Sequence, residues 1–309
     1  IYKKVLDNYS DLLGEGLIWV QDAYRRCSAL SEVKPLKVFV SHDTRISTRP
    51  DKKGLPLVQI RTPKDTVSVV FDTGASLSSV TKSVAARLGI RILVDSLMGG
   101  GAAGNIEFMS IGVADTLYFG DILYENVVFL VFEDEKFTFP EHDYAINGVF
   151  GFPEMRVLPA IKTHRNGILE IPKNINKHKS NMMFTNSNQI VVQANDSLLL
   201  WLDTAANWSG MSINYYNNNK EQIHKEGELS TRVIHGIGGS GEFPVYKLRD
   251  FPITIGTTTT ILPEISVSIE QVVGWTFEFD GVLGQDVISQ YDYMLLDFKN
   301  MHFSLGNKQ

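Results

Sequence analysis

Cysteine is almost absent from this chain: Cys27 is the single one in 309 residues. That excludes an intrachain disulfide and a cysteine-based metal cluster, and Cys27 itself reads as a small apolar residue on a helix. Long apolar runs are missing too, since none approaches the ~18 residues that a membrane-spanning helix needs. Nor is there an excess of positive charge. Twenty-nine Lys and Arg stand against 35 Asp and Glu, for a formal net charge of −6. The densest basic cluster, Lys173 to Lys179, is short and diluted by Asn, Ile and His. Nucleic acid and other polyanions are therefore not expected partners. His142, His164, His235 and His302 are scattered without metal-ligand spacing, so no metal site is expected.

What is present is the composition of a folded protein, 43% hydrophobic and 21% charged, at a length that suits two domains. Tyr2, Val5, Leu6, Tyr9, Leu12 and Leu13 recur at helical intervals, which predicts one buried helical face. Gly14 and Gly16 interrupt the pattern before it resumes from Leu17 to about Leu30, so a helical hairpin or a kinked helix is expected. From Lys37 onward the texture changes to short β-branched and aromatic runs between turn signals, such as Leu57–Ile60, Thr66–Phe71, Val127–Phe132 and Leu198–Leu202. That spacing predicts a mainly β body, with short helices at Thr81–Leu88, Pro153–Ile161 and Gln285–Gln290.

An internal repeat organises the β region. Val69-Val70-Phe71-Asp72-Thr73-Gly74-Ala75-Ser76 has a counterpart in Leu199-Leu200-Trp201-Leu202-Asp203-Thr204-Ala205-Ala206-Asn207. Glycine-rich segments follow at 99–104 and 236–241, and then Gly148-Val149-Phe150-Gly151 and Gly281-Val282-Leu283-Gly284. Asp72 and Gly148 are 76 residues apart, Asp203 and Gly281 78. Three landmarks in one order at nearly one spacing read as a duplicated module.

The chemistry follows from the first landmark. An apolar strand ending in Asp-Thr-Gly buries its approach and delivers a carboxylate to the floor of a cleft. Two such units facing each other would place two carboxylates around one water. Like charges that close cannot both ionise easily, so the pair holds one proton. One member can then act as general base on the water while the other protonates a substrate carbonyl. Each Asp has a plainer alternative as a turn or helix-capping residue, and the repeat argues against it. Both glycine segments also fit G-x-G-x-x-G. The residues after them, Ile106-Glu107-Phe108-Met109 and Phe243-Pro244-Val245-Tyr246, read as strands and not as the helix a dinucleotide site requires. Ser76, Ser78 and Ser79 lack the local signature of an activated serine. Trp201 and Trp208 read as core or interface aromatics.

Phe71-Asp72-Thr73-Gly74-Ala75-Ser76 resembles the active-site motif of retropepsin-like and pepsin-like aspartic peptidases, and the two hydrophobic-hydrophobic-Gly segments resemble those that pack behind the catalytic loops of that family. His235-Gly236-Ile237-Gly238-Gly239 is similar to a retroviral flap tip. The resemblance covers about residues 55–309. It implies a bilobal, mainly β acid-protease-like β-barrel fold with an α-helical N-terminal extension. The expected divisions are 1–54 for extension and linker, 55–175 for the first lobe and 176–309 for the second. It implies Asp72 and Asp203 as the catalytic dyad, with Thr73, Gly74, Thr204 and Ala205 in support. Ser76, Gly100, Gly101, Gly236, Ile237, Gly238 and Gly239 would face substrate or form flaps. The implied activity is an aspartic endopeptidase with a peptide or protein substrate and no cofactor, monomeric or paired as a dimer. Ile1 is not an initiator residue, and an exported bacterial protein, periplasmic or cell-surface, is expected.

The second motif departs from the pattern, with Ala205 where the family usually has Gly, and alanine takes positive φ only at a cost. That departure keeps a second class open, a silent peptide-binding module of the same fold. A third class, an interaction protein using the helical segment as its surface, also stands.

Overall fold

The computed structural model describes residues 1–100, 106–236, 239–271 and 279–308. It begins with a helix at Tyr2–Tyr9, two 3-10 turns at Ser10–Leu12 and Gly14–Gly16, and a longer helix at Leu17–Leu30. The break falls where Gly14 takes a φ of +50°, a conformation that other residues adopt only at a cost. From Lys37 on, strands dominate. The architecture is mainly β, an acid-protease-like barrel arrangement preceded by a short helical stretch.

One pairing scheme recurs in the two halves. In the first, Pro56–Arg61 and Thr66–Phe71 form an antiparallel hairpin, and Thr66–Phe71 runs parallel to Gly148–Phe150. Gly148–Phe150 then meets Ser79–Thr81 antiparallel, and Ser79–Thr81 lies parallel to Ile122–Phe132. The sheet continues through Ile106–Phe119 to Arg91–Gly100. In the second half, Ile190–Ala194 and Leu198–Leu202 make the hairpin, and Leu198–Leu202 runs parallel to Gly281–Leu283. Gly281–Leu283 meets Gly210–Met211, which lies parallel to Thr258–Ser268. The sheet continues through Gly239–Ile255 to Glu228–Gly236.

A third sheet of five strands joins Thr44–Ser47, Ile168–Ile171, Ala160–His164, Tyr293–Asp297 and His302–Leu305. It draws chain from all three of the expected sequence divisions. Lys37–Phe39 likewise pairs with Ile122–Phe132, so residues 37–50 of the extension belong to the β body.

Burial explains the sequence texture. Val67, Val69 and Phe71 point into the main core, while Val70 enters a smaller cluster with Leu97, Met109, Ile111, Phe132, Phe137 and Val149. A strand covered on both faces reads as a continuous apolar run, and this one leads directly to Asp72. The helix at Lys82–Leu88 has the predicted ends: the Thr81 hydroxyl accepts from Val84 N–H (3.3 Å), and Gly89 closes it at φ +69°. The helix expected over Pro153–Ile161 is corrected. It is a single turn, Phe152–Met155, and Ala160–His164 is a strand. Pro159 accounts for this, because proline disfavours helical backbone at the residue before it and supplies no N–H of its own. The last helix ends at Ile288. Among the described residues no helix is long and apolar enough to cross a membrane.

Candidate active site

The two apolar strands end side by side. Asp72 N–H donates to Phe150 O and Asp203 N–H donates to Leu283 O, both at 3.0 Å. Each aspartate is thus seated on the hydrophobic-hydrophobic-Gly strand of its own half. Those strands pass so close behind the loops that glycine is required. A Cβ at Gly151 would lie 2.8 Å from Ser78 N and 2.9 Å from Ala75 O, and one at Gly284 would lie 2.3 Å from Trp208 O and 2.7 Å from Ala206 O.

The threonines tie the halves together by a reciprocal network. Thr73 N–H donates to Thr204 Oγ1 (3.0 Å), and Thr204 N–H donates to Thr73 Oγ1 (3.1 Å). Each hydroxyl then donates across the interface, Thr73 Oγ1 to Leu202 O and Thr204 Oγ1 to Phe71 O, both at 2.9 Å. The accepting carbonyls belong to the residues just before the two aspartates. Both threonines are buried, so every polar atom in this network is satisfied away from water.

The carboxyl groups meet at this seam. Asp72 Oδ1 accepts from Gly74 N–H (2.7 Å), and Asp203 Oδ1 accepts from Ala205 N–H (2.9 Å) and Ala206 N–H (3.0 Å). Gly74 faces the opposing carboxylate so closely that a Cβ there would lie 2.6 Å from Asp203 Cγ. Both aspartates are half-buried, enclosed by protein but open to solvent on one side. Burial raises the Asp72 pKa well above the ordinary carboxylate value, and the neighbouring Asp203 charge adds to it. Burial also raises Asp203, opposed there by the N–H donors of Ala205 and Ala206 and by the bond to Asp72. Such a pair titrates as one unit and retains a proton where isolated carboxylates would have lost theirs.

The positive-φ cost expected at Ala205 does not arise. Neither Gly74 nor Ala205 takes a positive φ. What glycine supplies at position 74 is clearance for the opposing carboxylate, not backbone freedom.

The remaining sequence candidates fall in different places. Gly100 ends the strand Arg91–Gly100, opposite Ile106, and Gly236 pairs with Gly239 at the end of the second hairpin. Gly101, Ile237 and Gly238 lie outside the described residues. Ser76 is exposed, its carbonyl accepting from Asn188 Nδ2 at 3.5 Å. Trp208 packs beneath the second hairpin, with the Arg232 guanidinium 3.6 Å above its ring, an ordinary cation–π geometry. Among the described residues no three His, Cys, Asp or Glu side chains converge as a metal site.

Sequence reasoning missed a matched pair of supports. Ser78 Oγ accepts from Gly151 N–H (2.8 Å) and donates to Glu154 Oε2 (2.5 Å). In the other half Ser209 Oγ accepts from Gly284 N–H (2.9 Å) and donates to Asp286 Oδ1 (2.6 Å). Each hydroxyl pins the glycine behind the loop, and a carboxyl group holds each hydroxyl, Glu154 fully buried and Asp286 half-buried. Burial is the main cause that raises the Glu154 pKa to about 7. The signal was available, because a serine stands six residues after each Asp and an acidic residue closely follows each Gly.

The sequence model of the aspartyl protease family matches residues 58–153, the span from the first hairpin through Asp72 to the glycine behind it. No curated protein matches the sequence. Among solved structures, the chain is similar to conglutin gamma, a basic 7S globulin from lupine seeds, at 10% identity and a TM-score of 0.47. That alignment covers 86% of this chain and 95% of that one.

Proposed function

We propose that this protein is an aspartic endopeptidase in which Asp72 and Asp203 form one catalytic dyad within a single chain. The reading makes residues 55–175 and 176–309 two lobes of a duplicated module, and residues 1–54 an extension and linker whose strands between 37 and 50 join the β body. One observation carries it above the rest: the reciprocal threonine network holds two half-buried carboxyl groups together, each with a raised pKa. A pair that shares a proton supplies a base for a water molecule and an acid for a peptide carbonyl at the same instant. Attack gives a tetrahedral intermediate that the protonated partner stabilises, with no covalent adduct to the enzyme. An extended peptide would lie between the lobes as an added strand, under the hairpins that end at Gly100 and Gly236. Its main chain would supply affinity and its side chains specificity.

A silent peptide-binding module is the competing reading, and Ala205 motivates it. Against it, Ala205 keeps the N–H bond to Asp203 Oδ1 that Gly74 makes to Asp72 Oδ1. Cleavage of a broad peptide library by wild type, Asp72→Asn and Asp203→Asn separates the two. The proposal expects each substitution to lower turnover by about a hundredfold or more. Activity surviving both would overturn the dyad, loss with Asp72→Asn alone would favour pairing of two chains, and peptides bound but uncut by wild type would favour the silent module.

A further inference from the structure

The two long hairpins differ in how their outer strands are supported. In the second, Glu228–Gly236 pairs with Gly239–Lys247 residue for residue from Glu228↔Lys247 to Gly236↔Gly239. In the first, the pairing of Arg91–Gly100 with Ile106–Phe119 slips twice, between Ile92 and Val94 and between Val94 and Leu97. Bulges of this kind bend a strand and leave backbone groups without ladder partners. Ser96, inside the second slip, takes a φ of +54°, unusual for a residue other than glycine. The bend therefore lies at Asp95–Leu97, just before the segment that leads to Gly99 and Gly100.

Side chains of the helix Leu17–Leu30 occupy this bend. Asp22, only 6% exposed, accepts the Met98 N–H at Oδ2 (2.6 Å) and Arg25 Nη1 at Oδ1 (3.2 Å). Arg25 in turn donates to Ser96 O (3.0 Å) and Asp95 O (2.5 Å), and Arg26 Nη2 donates to Met98 O (3.3 Å). Inside the hairpin, Asp95 Oδ1 accepts from Ser96 N–H (2.8 Å) and Ser110 Oγ (2.5 Å). Three carbonyls and one amide at the edge of the sheet are thus satisfied by three residues of one helix. An aspartate buried this far is costly unless every bond it makes persists, so the helix and the bend are held as a unit.

We infer that Asp22 and Arg25 are positioning residues for the first glycine hairpin. They clamp its bend against the N-terminal helix, and so set where the strand beyond Met98 lies over the peptide-binding cleft. The consequence for substrate rests on the peptidase reading, while the clamp itself does not. Loosening it weakens the hold on peptide before it touches the chemistry at Asp72 and Asp203, so it raises KM more than it lowers kcat.

The test uses the full chain with Asp22→Ala, Asp22→Asn and Arg25→Ala, the last at an exposed side chain where folding is secure. Amide hydrogen exchange is followed in both hairpins, with peptide cleavage measured in parallel. Losing charge-assisted bonds at the bend is expected to speed exchange at Leu97–Gly100 roughly tenfold or more. Glu228–Ile234 serves as an internal control and should not change. Asp22→Asn keeps an acceptor for Met98 and should fall between wild type and Asp22→Ala. KM is expected to rise several-fold with kcat changed by less than about twofold. Unchanged exchange at Leu97–Gly100 in Arg25→Ala and Asp22→Asn would overturn the clamp, as would equal acceleration in both hairpins. Faster exchange with an unaltered KM would overturn its role in substrate binding. A wild type that cuts nothing would defeat the peptidase reading and leave the exchange result to decide the clamp.

Discussion

The two halves share a backbone scheme and differ in nearly everything laid over it. In the first half the approach strand is buried on both faces, with Val69 and Phe71 to one side and Val70 to the other. In the second, Leu200 and Leu202 are buried while Leu199 and Trp201 remain half-exposed. The first loop has Gly74 and the second Ala205 at the position whose N–H bonds the aspartate. Glu154 supports one loop from behind and Asp286 the other. One hairpin is bent and clamped by a helix, and the other pairs without a slip. What the halves hold in common is what the juxtaposition of two carboxyl groups demands: the strand that seats each aspartate, the threonine that crosses, and the glycine behind.

The sharpest way to break this comparison is to give the first half the residue of the second. Gly74→Ala would set a methyl group 2.6 Å from Asp203 Cγ, inside contact distance of the carboxylate. The two carboxyl groups must part to admit it, and on the proposed peptidase reading displacements near 1 Å at reacting groups cost about a hundredfold in rate. Cleavage is expected to fall by at least that much while the chain stays folded. Activity within a few-fold of wild type would show that the seam is looser than its hydrogen bonds imply.

Next in size are the threonines. Thr73→Ala removes a hydroxyl that donates to Leu202 O and accepts from Thr204 N–H, and Thr204→Ala does the same to Phe71 O and Thr73 N–H. Each leaves two buried polar groups without partners, at about 2–4 kcal/mol. Because the network is reciprocal, the two losses should match within about 1 kcal/mol in denaturant unfolding, and serine at either place should restore most of the loss. Unequal losses would locate the strength of the seam in one half.

Glu154, the carboxyl group behind the first loop, gives an effect of similar size that depends on pH. Glu154 has an ordinary value of 4.5 and is raised to about 7 in the folded protein, burial being the largest cause. A carboxyl group raised on folding binds its proton more tightly when folded. It therefore contributes stability that is full below about pH 4.5 and is lost as pH climbs through about 7, on the order of 3 kcal/mol in all. Glu154→Gln should flatten the unfolding free energy between pH 5 and 8. An undiminished slope in that variant would assign the pH dependence to Asp72 and Asp203, both of which are raised as well.

How far the site was legible varied with the physics behind each feature. Short strands and the approach to Asp72 could be read because double-sided burial writes a continuous apolar run. The Lys82–Leu88 helix carries a threonine N-cap and a closing glycine, whereas the helix expected over Pro153–Ile161 stops at Met155 because Pro159 disfavours helical backbone before it. Ser78 and Ser209 carry no signature in their immediate neighbours. Their partners Glu154 and Asp286 stand 76 and 77 residues away, and comparing the two halves position by position was the signal that could have exposed them. Asp22 and Arg25 look like an ordinary solvated pair three residues apart on a helix. The strand they hold is some 70 residues downstream, and the bulge that leaves its carbonyls free has no sequence mark.

The smallest expected effect comes from the reverse exchange, Ala205→Gly, and it bears most directly on the choice between enzyme and silent binder. Glycine adds no conformation that the site uses, because Ala205 is not at positive φ. It also keeps the N–H that bonds Asp203 Oδ1. What changes is the unfolded chain, which gains freedom and costs about 0.5–1 kcal/mol of stability. If the methyl group is a neutral feature of a working dyad, peptide cleavage should stay within about threefold of wild type while stability falls by that small amount. A rise of tenfold or more, equivalent to about 1.4 kcal/mol in the barrier, would mean that the methyl group holds the dyad away from its working geometry. The second half would then be the one drifting from catalysis, and Gly74, with its clearance for Asp203, would mark the arrangement that both halves need.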